Sequence, residues 1–233
     1  MADNELTIIV PIFNEARTIT ELVSKLENLR SVFKHCVFVD DGSTDESYLL
    51  LQEALHGREF HSTSLRQPNL GKGAAIRTGL KSVKTSHVAV LDADLELDPT
   101  DLIKLWRPIQ NGETTASLGY RQFLSQSSYT YRYKVGNRIL SHVYGLLFNQ
   151  VISDVMCGYK VFPRDIFDGT KYKGRRFSIE IDILAALWRR KVQPYELQVS
   201  YKARSRSQGK IIGFSDALLV LLRMIYLRII SRR

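Results

Sequence analysis

Only two cysteines, Cys36 and Cys157, occur in 233 residues, with no CxxC pair and no Cys/His cluster. That excludes a disulfide scaffold and predicts reduced thiols in a cytosolic setting. The five histidines are scattered, which leaves zinc without a ligand set. Long apolar runs are missing too. The longest one near the C-terminus, Ala217 to Leu222, is stopped by Arg223, and Arg228, Arg232 and Arg233 follow. Such a segment is too short and too charged to span a bilayer. Met1 to Glu5 is polar and acidic, without the basic start and apolar stretch of a secretory signal, so the mature chain is expected to begin here. Neither GxxxxGK[ST] nor GxGxxG is present, which excludes nucleotide sites of the P-loop and dinucleotide types.

What is present fits a folded α/β protein. A chain that is 44% hydrophobic and 24% charged is neither disordered nor fibrous, and its length suits one large domain with a core of its own. Net charge is +9 but unevenly spread. Residues 1–116 hold 12 Lys/Arg against 17 Asp/Glu, a net of −5, and residues 117–233 hold 21 against 7, a net of +14. A basic half answers to nucleic acid, anionic lipid or a phosphorylated substrate, and an acidic half offers carboxylates to a metal.

The first half alternates between two periodicities. Leu6 to Val10, Cys36 to Val39, His87 to Leu91 and Ala116 to Tyr120 read as buried strands. Between them, helices are predicted over Ala16 to Phe33, from a Ser43/Glu46 capping box through Leu55, over Gly73 to Val83, and from Pro99 through Ile109. This rhythm means βαβ units and a largely parallel sheet flanked by helices. Ligands bind beyond the carboxyl ends of such strands, where Asn14, Asp40, Asp41, Asp92 and Asp94 all fall. In the second half, Asn137 to Phe148 and Phe177 to Trp188 read as helices and Tyr195 to Tyr201 as a strand. A basic loop, residues 202–210, precedes a helical stripe of Leu218, Leu222, Ile225 and Ile229.

Asp92-Ala93-Asp94 directly follows a buried strand. Two carboxylates so close repel unless a hard divalent cation neutralises them, and Mg²⁺ or Mn²⁺ with a substrate diphosphate meets that need. The bland alternative is an acidic loop cap. The pair Asp40-Asp41, expected at the end of the neighbouring strand, favours the metal. Asn69-Leu70-Gly71-Lys72-Gly73 precedes a helix; it is either a phosphate-facing turn or a plain glycine cap.

In order and spacing, Val10-Pro11-Ile12-Phe13-Asn14-Glu15, Val39-Asp40-Asp41-Gly42-Ser43-Thr44-Asp45, Gly71-Lys72-Gly73 and Leu91-Asp92-Ala93-Asp94 resemble the inverting GT-A glycosyltransferases of family 2. Asp154-Val155-Met156-Cys157-Gly158-Tyr159-Lys160-Val161-Phe162 and Arg206-Ser207-Gln208-Gly209-Lys210 narrow the resemblance to the dolichyl- or polyprenyl-phosphate mannose and glucose synthases. The resemblance implies a GT-A domain over residues 1–213 and a C-terminal amphipathic helix over 214–233. It places Pro11, Phe13, Glu15, Asp40, Gly71 and Lys72 at the base and ribose of a GDP- or UDP-linked hexose. Asp92, Ala93 and Asp94 would meet the nucleotide sugar, and Asp92, Asp94 and Glu96 the metal. Glu96 stands where family members often carry Gln. Arg121, Arg138, Arg204, Arg206 and Lys210 would meet donor and acceptor phosphates, since a guanidinium fork matches phosphate oxygens.

Other readings of these residues stand beside the family's. Arg138 on its helix is also compatible with a solvated charge. Glu180, a charge in an apolar segment, reads as a buried partner of a basic side chain. Asp154 is either a general base for a hydroxyl acceptor or a residue that orients substrate or holds a loop; a phosphate acceptor is already ionised and needs no base. The C-terminal stripe, edged by Arg223, Arg228, Arg232 and Arg233, reads as an interfacial helix at an anionic membrane surface or as a helix packed on the core. The expectation is therefore a metal-dependent hexosyltransferase, peripheral at the cytoplasmic membrane face. Nucleic acid is not expected as a partner, because a nucleic-acid module gives no reason for aspartates at strand ends.

Overall fold

The computed structural model describes residues 4–121, 131–169, 174, 178–202 and 214–230. Strands β1 (Leu6–Ile12), β2 (His35–Asp40), β3 (Ser62–Arg66) and β4 (His87–Val90) run parallel in the order β3-β2-β1-β4. β6 (Lys160–Pro163) lies antiparallel between β4 and β5 (Ser117–Arg121), and β7 (Tyr195–Val199) completes the seven-stranded sheet parallel to β5. This is a GT-A-like α/β arrangement.

Why these segments are strands follows from burial. β1, β2 and β4 are covered on both faces, so they are apolar runs rather than alternating ones. Ile8, Val10 and Ile12 face one apolar layer, completed by α1 (Ile19–Glu27), α2 (Ser47–Leu55) and α4 (Leu102–Gln110). Ile9 and Val90 face the other, completed by α3 (Lys72–Leu80), α5 (Tyr131–Phe148), α6 (Ile179–Arg189) and α7 (Phe214–Ile230).

Four expectations need correction. The Ser43/Glu46 capping box does not form: α2 begins at Ser47 with no side-chain cap, because Ser43 Oγ accepts from the Asn14 amide at 3.0 Å instead. The helix expected over Ala16 to Phe33 is confined to Ile19–Glu27, and α5 starts six residues before Asn137. β2 is not the neighbour of β4, since β1 lies between them, so the Asp40-Asp41 pair does not join Asp92 and Asp94.

Helix α7 is apolar on two sides. Val220, Met224 and Leu227 are buried against the sheet's helical layer, whereas Leu218, Leu222, Ile225 and Ile229 are 41–58% exposed. Arg223 is not a loose charge at the edge of that stripe: its guanidinium forks onto buried Asp182 of α6 at 2.7 and 3.0 Å. Arg228 stacks over Trp188 at 4.8 Å. Among the described residues, no helix is long and apolar enough to cross a membrane.

Candidate active site

The carboxyl ends of β1, β2 and β4 carry the first set of expected residues. After β1, Phe13 is partly exposed and Asn14 takes a left-handed backbone with φ of +56°. The loop after β2 holds that turn in place. Thr44 N donates to Asn14 Oδ1 at 2.8 Å, Glu15 N to Ser47 Oγ at 2.7 Å, and Ala16 N to Asp45 Oδ2 at 3.2 Å. The Gly42-Ser43-Thr44-Asp45 motif thus works as a clamp on Asn14 to Ala16.

Asp40 and Asp41 are both buried, with different tasks. Asp40 pairs with Arg66 Nε at 3.0 Å and accepts from Ser43 N at 3.3 Å. Asp41 accepts from Gln67 Nε2 at 2.6 Å, Leu70 N at 2.9 Å and Gly71 N at 2.7 Å. The Leu70 and Gly71 amides are therefore directed at a carboxylate, and the glycine turn caps α3. Gly42, at φ +74°, is required there, because a Cβ would come within 2.7 Å of Asn69 N.

Lys72, the first residue of α3, lies between two carboxylates. Its Nζ is 2.6 Å from Asp92 Oδ1 and 2.8 Å from Glu180 Oε1. Glu180 Oε2 in turn meets Lys160 Nζ at 2.8 Å, so this charge in an apolar segment is a buried partner of two lysines. Burial disfavours the charge on Lys72, but Asp92 and Glu180 outweigh it and raise its pKa. Burial likewise opposes the Glu180 charge, and Lys160 and Lys72 win, holding its carboxyl below the usual range. For Asp92, burial and the nearby charges of Asp94 and Glu180 prevail over Lys72 and push its carboxyl up.

Ala93 is buried behind the half-buried Asp94, whose Oδ1 accepts from Glu96 N at 3.0 Å. Glu96 Oε2 accepts from Tyr201 Oη at 3.1 Å, and the Tyr201 ring lies under the Arg121 guanidinium at 5.1 Å. Arg121 then grips Asp154. Asp154 is 3% exposed and also accepts from Asn137 Nδ2 of α5 at 2.8 Å. Burial raises the Asp154 pKa, but the Arg121 charge and these hydrogen bonds outweigh it and hold the group below the ordinary carboxylate range. Arg138 follows Asn137 on α5 and is exposed. A chain of contacts thus runs from the aspartate loop through Tyr201 and Arg121 to α5.

Pro11, Phe13, Glu15, Asp40, Gly71, Lys72, Asp92, Ala93, Asp94 and Glu96 gather around the ends of β1, β2 and β4. Arg121 and Asp154 form a second group across β6, which the exposed Arg138 adjoins only through its chain neighbour Asn137. Arg204, Arg206 and Lys210 lie outside the described residues. Sequence reasoning passed over Asn137, Lys160 and Tyr201 as site residues. Only Lys160 left a signal, a charge set beside the apolar pair Val161-Phe162. Among the described residues, no group of three or more His, Cys, Asp or Glu side chains is arranged to hold a metal ion.

The chain as a whole has relatives among known proteins. Residues 7–170 match the family model for glycosyl transferase family 2. The chain is 25% identical over 198 residues to the glycosyltransferase AglJ of Haloferax volcanii, covering 84% of this chain and 63% of that protein. It is 26% identical over 232 residues to the dodecaprenyl-phosphate galacturonate synthase of Rhizobium johnstonii, covering 95% and 65%. It therefore spans just under two thirds of the length of these two relatives. Glucosyl-3-phosphoglycerate synthase from Mycobacterium tuberculosis, crystallised with Mn²⁺, UDP and glucosyl-3-phosphoglycerate, shares the fold with a TM-score of 0.69 at 16% identity, covering 97% of this chain and 80% of that one. With more than half its length matching the family model, this chain belongs to glycosyl transferase family 2.

Proposed function

We propose that the chain transfers a hexose, with inversion, from a GDP- or UDP-linked donor to a polyprenyl phosphate. The observation that carries this reading is the cluster at the ends of β1, β2 and β4, where Asp92 and Asp94 follow a buried strand and Lys72 faces Asp92. The relative from Rhizobium johnstonii, a dodecaprenyl-phosphate galacturonate synthase, supports the lipid acceptor.

Phe13, half exposed beside the Asn14 turn, would offer a ring to the base. Asp40 would act at one remove, through Arg66 and the motif turn it braces. The donor set suits Mg²⁺ or Mn²⁺: Asp92 and Asp94 bring hard oxygens, and the charges that push the Asp92 carboxyl up are ones a divalent cation would offset. Asp94 and Asp92 would hold the ion with the donor diphosphate; the expected third ligand, Glu96, is not arranged with them and accepts from Tyr201 Oη instead. When bound, the ion supplies charge stabilisation to the departing nucleoside diphosphate.

The acceptor phosphate oxygen forms its bond to the anomeric carbon as the bond from that carbon to the diphosphate oxygen breaks. No proton moves, because the acceptor is ionised before it binds. Asp154 fits a holding role: its oxygens are directed at Arg121 and Asn137, and its pKa is pulled away from the range of a base. That geometry weighs against a hydroxyl acceptor with Asp154 as base. Arg138, exposed next to Asn137, and the basic loop with Arg206 and Lys210 would take up acceptor and donor phosphates.

The exposed stripe of α7 would lie in the interface of an anionic membrane at its cytoplasmic face, bringing the site to its lipid. Incubation of the protein with Mn²⁺, a polyprenyl phosphate and a panel of labelled UDP- and GDP-hexoses tests the whole reading. Sugar appearing in the lipid fraction from one donor is the expected result, and no transfer from any donor overturns it.

A further inference from the structure

Asp92 is the outer end of a row of four alternating charges that crosses the fold. Lys72 of α3 follows at 2.6 Å, Glu180 of α6 at 2.8 Å, and Lys160 of β6 at a further 2.8 Å. Side-chain exposure falls along the row from 26% to 15%, 2% and 1%, so the inner pair has left water altogether. The row also closes on itself. Lys160 Nζ donates to the carbonyl oxygens of Val155 and Cys157. Cys157 adjoins Gly158, and Gly158 faces the second oxygen of Asp92: a Cβ there would collide with Asp92 Oδ2 and stand 3.0 Å from Lys72 Nζ. Asp92 is thus held on one oxygen by Lys72 and walled on the other by a backbone that Lys160 pins.

Stability alone does not account for such a ring. Taking two charges out of water costs about as much as their attraction returns, and apolar replacements of similar volume are often neutral or better. A lysine by itself is a poor positioning device, because its four-carbon stem has many rotamers. A second carboxylate removes that freedom from Lys72. We propose that Glu180 and Lys160 are positioning residues of the donor site, setting the orientation of the Asp92 carboxylate through Lys72 on one side and the Cys157-Gly158 backbone on the other. The inference rests on the donor reading given above and adds two residues that touch no substrate.

Two variants separate positioning from bulk stability. Glu180→Asp keeps the charge but loses the reach needed to meet both lysines. The double variant Lys160→Met/Glu180→Gln keeps the buried row neutral but replaces the charged second anchor of Lys72 with a neutral, weaker acceptor. Each is compared with the wild type by thermal melting, by calorimetric titration with UDP and with GDP in Mn²⁺, and by donor and acceptor KM with a polyprenyl phosphate. The expected result is a folded protein whose nucleotide binding and donor KM worsen by about 10- to 100-fold, the usual scale for losing such supporting contacts, while the acceptor KM stays put. A folded variant of either kind that binds nucleotide as the wild type does overturns the positioning role alone, as does failure of both to fold. Wild-type protein that binds neither nucleotide overturns the donor reading itself.

Discussion

Arg121 holds Asp154 through Nε at 2.7 Å and Nη2 at 3.0 Å, and its own amide adds a third contact at 3.2 Å. With both groups largely buried, removing the negative partner strips the guanidinium of this two-point, charge-assisted contact. Asp154→Asn should therefore lower stability at neutral pH by about 3 kcal/mol. The sign with pH follows from the lowered pKa. The contribution is complete above the unfolded value of about 3.9 and is lost as pH falls through the lower folded value. Melting temperatures of the two proteins should thus differ most at pH 7 and converge below about pH 4. Transfer to a polyprenyl phosphate should persist in whatever protein is folded. A fall of ~10²- to 10⁴-fold in well-folded Asp154→Asn would instead mark a general base.

Gly158→Ala tests the wall behind Asp92. The added methyl overlaps Asp92 Oδ2 and presses on Lys72, so the carboxylate must turn. Misplacement on the scale of 1 Å should reduce kcat/KM for the donor by about 10²-fold. Steady-state kinetics at saturating acceptor will read it, and wild-type values would mean that the Asp92 orientation is not set there.

Asp94→Ala removes one of two neighbouring like charges, so the fold should survive it. Turnover should drop by ~10²- to 10³-fold if this carboxylate supports charge on the leaving diphosphate. Excess chelator should do the same to wild-type protein, and Mn²⁺ or Mg²⁺ should restore it. Undiminished activity in chelator would remove the metal from the reaction.

The exposed stripe of α7 makes a separate prediction. Leu222 and Ile225 are 54% and 41% exposed, so Leu222→Glu/Ile225→Glu should leave melting unchanged. Each apolar side chain that enters a membrane interface contributes roughly 1.5–3 kcal/mol, and losing two should weaken binding to anionic vesicles by at least ~10²-fold. Co-sedimentation at low and high salt measures this; equal binding by both proteins would take the stripe off the membrane.

Much of the fold was legible because β1, β2 and β4 are central and doubly covered, and such strands leave unbroken apolar runs. β3 left none: as an edge strand it reads Ser62-Thr63-Ser64, and polar residues suit an edge. β6 was hidden by its length of four residues and by the lysine at its head. At the site, positions at strand ends were legible, but partners were not. Ser43 and Glu46 have the spacing of a capping box, yet nothing local reveals that the Asn14 amide, 29 positions away, takes the serine hydroxyl. The stripe on α7 was readable as a stripe, whereas Arg223 and Arg228 belong to Asp182 and Trp188, which only tertiary packing brings near.

The antiparallel β6 also has a consequence for synthesis. The four parallel strands are complete once Val90 has been made, and α1, α2 and α3, already synthesised, can cover them. The outer edge of β4 then waits for Lys160, about 70 residues later, which at roughly 5–20 residues per second is several seconds to about a quarter of a minute on the ribosome. During that interval His87 to Val90 present an apolar, unpaired edge to any passing strand. Nascent-chain aggregation, and reliance on a holding chaperone, should therefore peak for chains arrested between residues 91 and 159, and fall once β6 has slotted in.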